Sequence, residues 1–246
     1  MRRYDEYRYG LWEIMGVISI YLLIMALVAY LFYRSIIFFL ISLMGIPFFL
    51  KFHKKKKIEE TREKLSEEFA EVLASVNANM GAGYAAENAF WEAHKDITLF
   101  YGEKSLMAPE LVHIKKGLSL NMTLESLLYD LGERSGVEDI IVFAKVFETA
   151  KRNGGNIREV LERSSETVKE KLEVEKEIRV LISQKKLELK IMECIPFFMI
   201  GYIGLTSEGY FDVLYHSLKG VLFMSACLVI YAVALFLGSK IVRINV

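Results

Sequence analysis

The stretch IIFFLISLMGIPFFLKFHKKKKIEETREKL, residues 36–65, decides the fold. From Ile36 to Leu50 it carries no charge. Lys51 and the run Lys54-Lys55-Lys56-Lys57 follow at once, and beyond them acids and bases mix: Glu59, Glu60, Arg62, Glu63 and Lys64. Hydrocarbon accepts the first half and rejects the second, because one lysine at a bilayer centre costs about 2.5–3.5 kcal/mol or more. The chain therefore leaves an apolar medium near residue 50.

Working outward, the same segregation organises all 246 residues. The hydrophobic fraction of 53%, the charged fraction of 25% and the zero net charge look ordinary only when averaged. One apolar block runs from about Leu11 to Leu50 and another from about Ile191 to Leu237, with a charged block between them. A spanning helix needs roughly 20 apolar residues, so each block is two crossings. The first divides at Arg34–Ser35 into spans of about 12–33 and 36–50. The second divides at the polar-aromatic stretch Thr206–Lys219 into spans of about 191–206 and 220–238. The resulting expectation is an all-α polytopic protein: residues 1–50 form an amino-terminal membrane hairpin, 51–190 a soluble helical domain and 191–246 a second hairpin.

Lysine and arginine bias orients it. Arg2, Arg3 and Arg8 precede the first span, Lys54–Lys57 follow the second, and Lys240 and Arg243 follow the last. The short connections hold only Arg34 and Lys219 as basic residues. The domain and both termini are thus expected in the cytoplasm, with Tyr30, Tyr33, Tyr202, Tyr210 and Tyr215 at the opposite interface. No cleaved signal peptide is expected. Cys194 and Cys227 fall in spans at different depths, so no disulfide is expected.

Apolar residues in the middle block recur at helical spacing. Leu65, Phe69, Val72, Leu73, Val76 and Met80 mark a first helix ending at Gly81-Ala82-Gly83, and Ala85, Ala86, Ala89, Phe90 and Ala93 a second. A third starts near Pro109, read as a first helical position, and stops at Gly117. A fourth starts near Thr123. A fifth opens at Ser135 with Glu138 in the capping-box position and ends at Asn153-Gly154-Gly155. A sixth begins at Asn156 and meets neither glycine nor proline until Pro196, which permits one helix from domain into span. The expectation is a cytoplasmic six-helix bundle of helical hairpins. Gly83, Gly117 and Gly155 recur between helices as left-handed ends.

Chemistry is hard to find. Gly81-Ala82-Gly83-Tyr84-Ala85-Ala86 fits a dinucleotide pattern but lacks the preceding strand. His53, His94, His113 and His216 have no metal-ligand spacing, and no catalytic, cofactor or metal residue is assigned. Neutral net charge without aromatic–basic interleaving argues against nucleic acid. Ionisable residues in the spans are scarce, which disfavours transport. Glu193, just before Pro196, reads as interfacial with a partner such as Lys190, or as a polar lock between spans. Lys54–Lys57 reads as an anchor to the anionic headgroups of the lipid bilayer.

Several short motifs occur in order: Glu67-Glu68-Phe69-Ala70-Glu71-Val72-Leu73, Met80-Gly81-Ala82-Gly83-Tyr84, Pro109-Glu110-Leu111, Lys116-Gly117-Leu118-Ser119-Leu120, Leu131-Gly132-Glu133-Arg134-Ser135, Phe143, Asn153-Gly154-Gly155-Asn156-Ile157 with Val160-Leu161, then Gln184 and Pro196. Over about residues 60–240 this order resembles the type II secretion system F domain family, in the single-domain form of tight-adherence (Tad) pilus proteins. Gly83, Gly117, Gly154, Gly155 and Pro196 are its structural positions here. The resemblance implies a non-enzymatic platform in a bacterial cytoplasmic membrane. The implied partners are a pilus or secretion assembly ATPase, pilin-like subunits, and either itself or a second F-domain protein. Many secretion and pilus platform proteins carry two such domains, and this chain has room for one. The alternative is a membrane-anchored helical signalling or scaffold protein.

Overall fold

The computed structural model describes Tyr4 and residues 9–33, 36–207, 209–215 and 217–242. The basic residues Arg2, Arg3, Arg8, Arg34 and Arg243, with Ser35 and His216, lie outside the described residues. All regular structure among the described residues is helical. Helix α1 (Leu11–Val28) closes in a π-helical turn, Ala29–Tyr33, and α2 (Ile36–Ser42) leads through a 3-10 turn, Leu43–Gly45, into α3 (Ile46–Gly81). Then follow α4 (Ala86–Tyr101), α5 (Met107–Ser119), α6 (Leu124–Ser135), α7 (Glu138–Arg152), the 50-residue α8 (Ile157–Thr206), the single turn α9 (Asp212–Tyr215) and α10 (Leu218–Val242).

The chain divides into two compact units, one holding Tyr4 and residues 53–174, the other residues 9–52 and 175–246. The helical unit thus closes at Val174, short of Lys190, and takes in Tyr4 from ahead of the first apolar helix. Its core is one contiguous cluster. Helix α3 supplies Leu65, Phe69, Val72, Leu73 and Val76; α6 supplies Leu124, Leu127, Leu128 and Leu131; α7 supplies Ile140, Phe143, Ala144 and Phe147. Each set repeats at three- and four-residue steps, so each helix buries one stripe. Phe69 meets Phe143 edge to face, centroids 5.5 Å apart, and each buried ring contributes roughly 1.5–3 kcal/mol. On α4 the inward stripe is mostly alanine, Ala86, Ala89 and Ala93, which brings its backbone close. Helix α8 buries Leu161, Val168 and Leu172 there, with Ile157 packed against the cluster.

The apolar unit has the opposite surface. Among the described residues four helices, Leu11–Tyr33, Ile37–Gly81, Ile157–Thr206 and Lys219–Ile241, are long and apolar enough to cross a membrane, the second and third of them continuing into the helical unit. Trp12, Met44 and Leu205 each stand more than 80% exposed. So much uncovered apolar surface is unstable in water and stable in lipid.

The helix boundaries correct several expectations. Helix α3 carries the apolar segment through Lys54–Lys57 into the charged one without interruption. Ser135 does not open the fifth helix; it sits in the last turn of α6, and α7 begins after Val137. Its hydroxyl donates to the Gly132 carbonyl and accepts from the Val137 amide, so the serine closes one helix instead of capping the next. Pro109 is the third residue of α5, not the first. It still lies in the first turn, where its missing N–H costs nothing. Helix α8 does run unbroken through Pro196.

Candidate functional site

The motif glycines do different work from one another. Gly83 follows α3 with φ +96°; its amide bonds the Met80 carbonyl and the Tyr84 amide bonds Asn79. Gly154 follows α7 with φ +67°, with its amide on Lys151 and the Gly155 amide on Ala150 at 2.8 Å. Both are Schellman ends, which place the left-handed residue just past the helix. Gly155 is therefore the residue after the left-handed one, and a Cβ there would sit 3.2 Å from the Ala150 carbonyl oxygen. Gly117 is no helix end. It is buried inside α5, and a Cβ would meet Leu127 Cδ2 at 2.5 Å. The end of α5 is made by Asn121, φ 62°, with its amide on Leu118 and the Met122 amide on Gly117. Asparagine tolerates that conformation best after glycine. Gly132, inside the Leu131–Ser135 motif, holds α6 against α7: a Cβ there would lie 3.1 Å from the Ile141 Cα.

Two buried carboxylates organise the start of α5. Glu68, fully buried on α3, accepts through Oε2 from the Ser105 hydroxyl at 2.8 Å and from the Leu106 and Met107 amides at 2.7 and 2.9 Å. It thereby satisfies the orphan donors of a helix start and places negative charge at the positive end of the dipole. Lys64 stands 3.7 Å from its Oε1. Glu110, 6% exposed on α5, takes both terminal nitrogens of Arg134 on α6, at 3.1 and 2.8 Å, while Arg134 Nε donates to Asp130 at 2.7 Å. Burial works against the Arg134 charge, but the hydrogen bonds to Glu110 and Asp130 outweigh it and hold its pKa above the ordinary value. Tyr4 joins this cluster from 106 residues away, its hydroxyl 3.0 Å from Glu110 Oε1. Hydropathy offered no signal for it: one tyrosine lies between arginines and acids.

In the apolar unit, tyrosine hydroxyls reach main-chain carbonyls where the helices depart from regularity. Tyr21 on α1 donates to Ser42 at 2.7 Å, beside the 3-10 turn before Pro47, and a Cβ on Gly45 would run into that hydroxyl. Tyr215 donates to Leu31 in the π-helical turn at 2.6 Å. Tyr231 on α10 donates to Glu193, three residues before Pro196. The carbonyls Pro47 and Pro196 leave without an amide are those four residues earlier, Leu43 and Met192; Tyr21 and Tyr231 bond the neighbouring carbonyls, in a setting where lipid offers no water as an alternative partner. The polar link at Glu193 thus runs through its backbone. Of the five tyrosines expected at an interface, Tyr30, Tyr202 and Tyr210 are exposed, whereas Tyr33 bonds Ser225 at 2.8 Å and Tyr215 bonds Leu31.

Three of the four clustered lysines are paired along α3: Lys55 with Glu59, Lys56 and Lys57 with Glu60, at 3.9, 3.8 and 3.3 Å. All are exposed pairs of modest strength. Cys194 and Cys227 are unbridged and exposed. Among the described residues no group of three or more His, Cys, Asp or Glu is placed to hold a metal ion. Comparison with known protein families, characterised proteins and solved structures finds no match for this chain.

Proposed function

We propose that this chain is a platform protein of a filament-assembly or secretion machine, of the F-domain kind its motifs resemble. In this reading the helical unit lies in the cytoplasm as a six-helix bundle, the four apolar helices span the cytoplasmic membrane, and the protein performs no catalysis. A pilus or secretion ATPase works on the helical unit, pilin-like subunits meet the spans, and a second copy or another F-domain protein completes the platform. Tight-adherence pili are the type it fits.

The observation that carries the reading is helix continuity. Helices α3 and α8 each pass from charged, packed residues into apolar ones without a break. A helix resists bending, so two unbroken helices transmit displacement where flexible linkers would absorb it. The glutamate-anchored start of α5 and the Schellman turns fix helix ends within the helical unit.

The test is mass spectrometry of what co-purifies with tagged full-length protein extracted gently from its native membrane. A secretion-type ATPase together with pilin-like subunits is the expected outcome. A kinase or a lipid-metabolic enzyme in their place overturns the platform and favours the signalling or scaffold reading.

A further inference from the structure

We infer that α8 pairs in parallel with the α8 of a second copy, along a stripe of exposed apolar residues from Val180 to Leu205. The stripe is built on Val180, Leu187, Ile191, Ile195, Phe198 and Leu205, each half or more exposed. Steps of three, four and seven residues keep them on one face of the helix. The other face is occupied within the apolar unit. Leu189 lies against α10, where a Cβ on Gly238 would come 2.8 Å from its Cδ2. The Phe197 ring meets Phe32 and Tyr231 with centroids 6.0 and 5.7 Å away, and the Glu193 carbonyl takes the Tyr231 hydroxyl. Helix α8 thus packs by one side and leaves the opposite side bare for about three and a half heptads, a length at which an apolar repeat points to helix pairing.

The two halves of the stripe differ in what they gain. Between Val180 and Ile191 the helix carries Lys185, Lys186, Glu188 and Lys190, which belong in water. There Val180, Leu181 and Leu187 stand uncovered, and the hydrophobic effect favours burying them. From Ile191 to Leu205 lipid covers the stripe as well as a helix would, so that half adds packing without a hydrophobic drive.

The partner is therefore a helix that runs the same way and passes from charged to apolar surroundings at the same height. A second α8 does so by identity. The stripe holds no charged residue, so two copies meet without repulsion. In its charged half the one polar member is Gln184, which is exposed. Its amide both donates and accepts, so two copies of it satisfy each other and fix the register of the pair. The second copy and its membrane setting are those of the platform reading, on which this pairing rests.

Disulfide scanning of the full-length protein in its native membrane tests it, with Cys194 and Cys227 replaced by serine and two differently tagged copies coexpressed. Leu187→Cys and Ile191→Cys lie on the stripe. Lys186→Cys and Met192→Cys are their neighbours, turned about 100° away, and all four native side chains are exposed. On oxidation the stripe positions should form disulfides that join both tags, about tenfold more than their neighbours, because the bridge demands close and facing Cβ atoms. Gln184→Glu added to Leu187→Cys should cut the disulfide about tenfold by setting like charges face to face, whereas Gln184→Asn should keep it. Equal crosslinking on and off the stripe, or none, overturns the pairing. Bridges to a different protein in place of the second tag overturn the second copy, and an undiminished disulfide in Gln184→Glu overturns the register. The platform reading fails separately, on the absence of an ATPase and pilin-like subunits, whether or not these disulfides form.

Discussion

Gly132 and Gly117 are held by their neighbours, whereas Gly83 and Gly154 are held by their own backbones. The distinction sets what each substitution costs. At Gly117 the obstacle is the end of the Leu127 side chain, which can turn aside; at Gly132 it is the main chain of Ile141, which cannot. Gly132→Val should therefore destabilise the protein by about 1–3 kcal/mol, the usual cost of overpacking. Chemical denaturation in detergent followed by circular dichroism reads it, and an unchanged midpoint refutes the close α6–α7 approach. His94 is a second case. Its ring stacks on Trp91 with centroids 4.9 Å apart, and Lys115 Nζ sits 3.3 Å above the indole. Burial first, and then the Lys115 charge, lower its pKa below 6.5. A base with a lowered folded pKa favours the fold while neutral, so its contribution is complete above pH 6.5 and is lost as pH falls through the lowered value. Lys115→Ala removes the smaller cause, and the His94 midpoint, followed by NMR of histidine-labelled protein, should move part of the way up. A midpoint that stays or falls contradicts the assignment.

Helices were legible where a stripe of apolar residues repeated, and their ends where one residue acts alone. Thr123 caps α6, its hydroxyl 3.4 Å from the Ser126 amide, and Asn156 stands in the same relation to Glu159 at the start of α8. Asn121 and Ser135 were not legible. An asparagine in left-handed conformation looks like any loop residue, and a serine followed three residues on by glutamate reads as a helix start although Gly136 with φ +63° puts the break after it. The length of α8 followed from its lack of breakers. The hydrogen bond from Tyr231 to the Glu193 carbonyl did not, because Tyr231 lies on another helix. Tyr231→Phe leaves the Glu193 carbonyl without that donor and should cost about 0.5–2 kcal/mol, the range for single hydrogen bonds in membranes. The fall in melting temperature of the protein in nanodiscs measures it. No change shows that the Glu193 carbonyl needs no second donor.

Segregation of apolar and charged residues dictates the whole molecule, and the prediction at this scale concerns sidedness. With Lys51 and Lys54–Lys57 after the second apolar segment and few basic residues in the connections, Lys55→Cys should react only from the cytoplasmic side and Ser207→Cys only from outside. Impermeant thiol labelling, on a background with Cys194 and Cys227 replaced, decides it; the reverse pattern inverts the protein. The four helices long and apolar enough to cross a membrane, the helical class and the unbroken path through α8 were available from the amino-acid order alone, because hydropathy, helical period and the absence of breakers are properties of neighbouring residues. Tertiary structure alone decided that Glu68 caps α5, that Gly117 and Gly132 serve close packing instead of turns, that tyrosines satisfy carbonyls at helix irregularities, and that Tyr4 leaves the membrane segment to join Glu110 and Arg134. These arrangements join groups from 9 to more than 180 positions apart, on different helices, so their energies depend on a neighbour that no local pattern names.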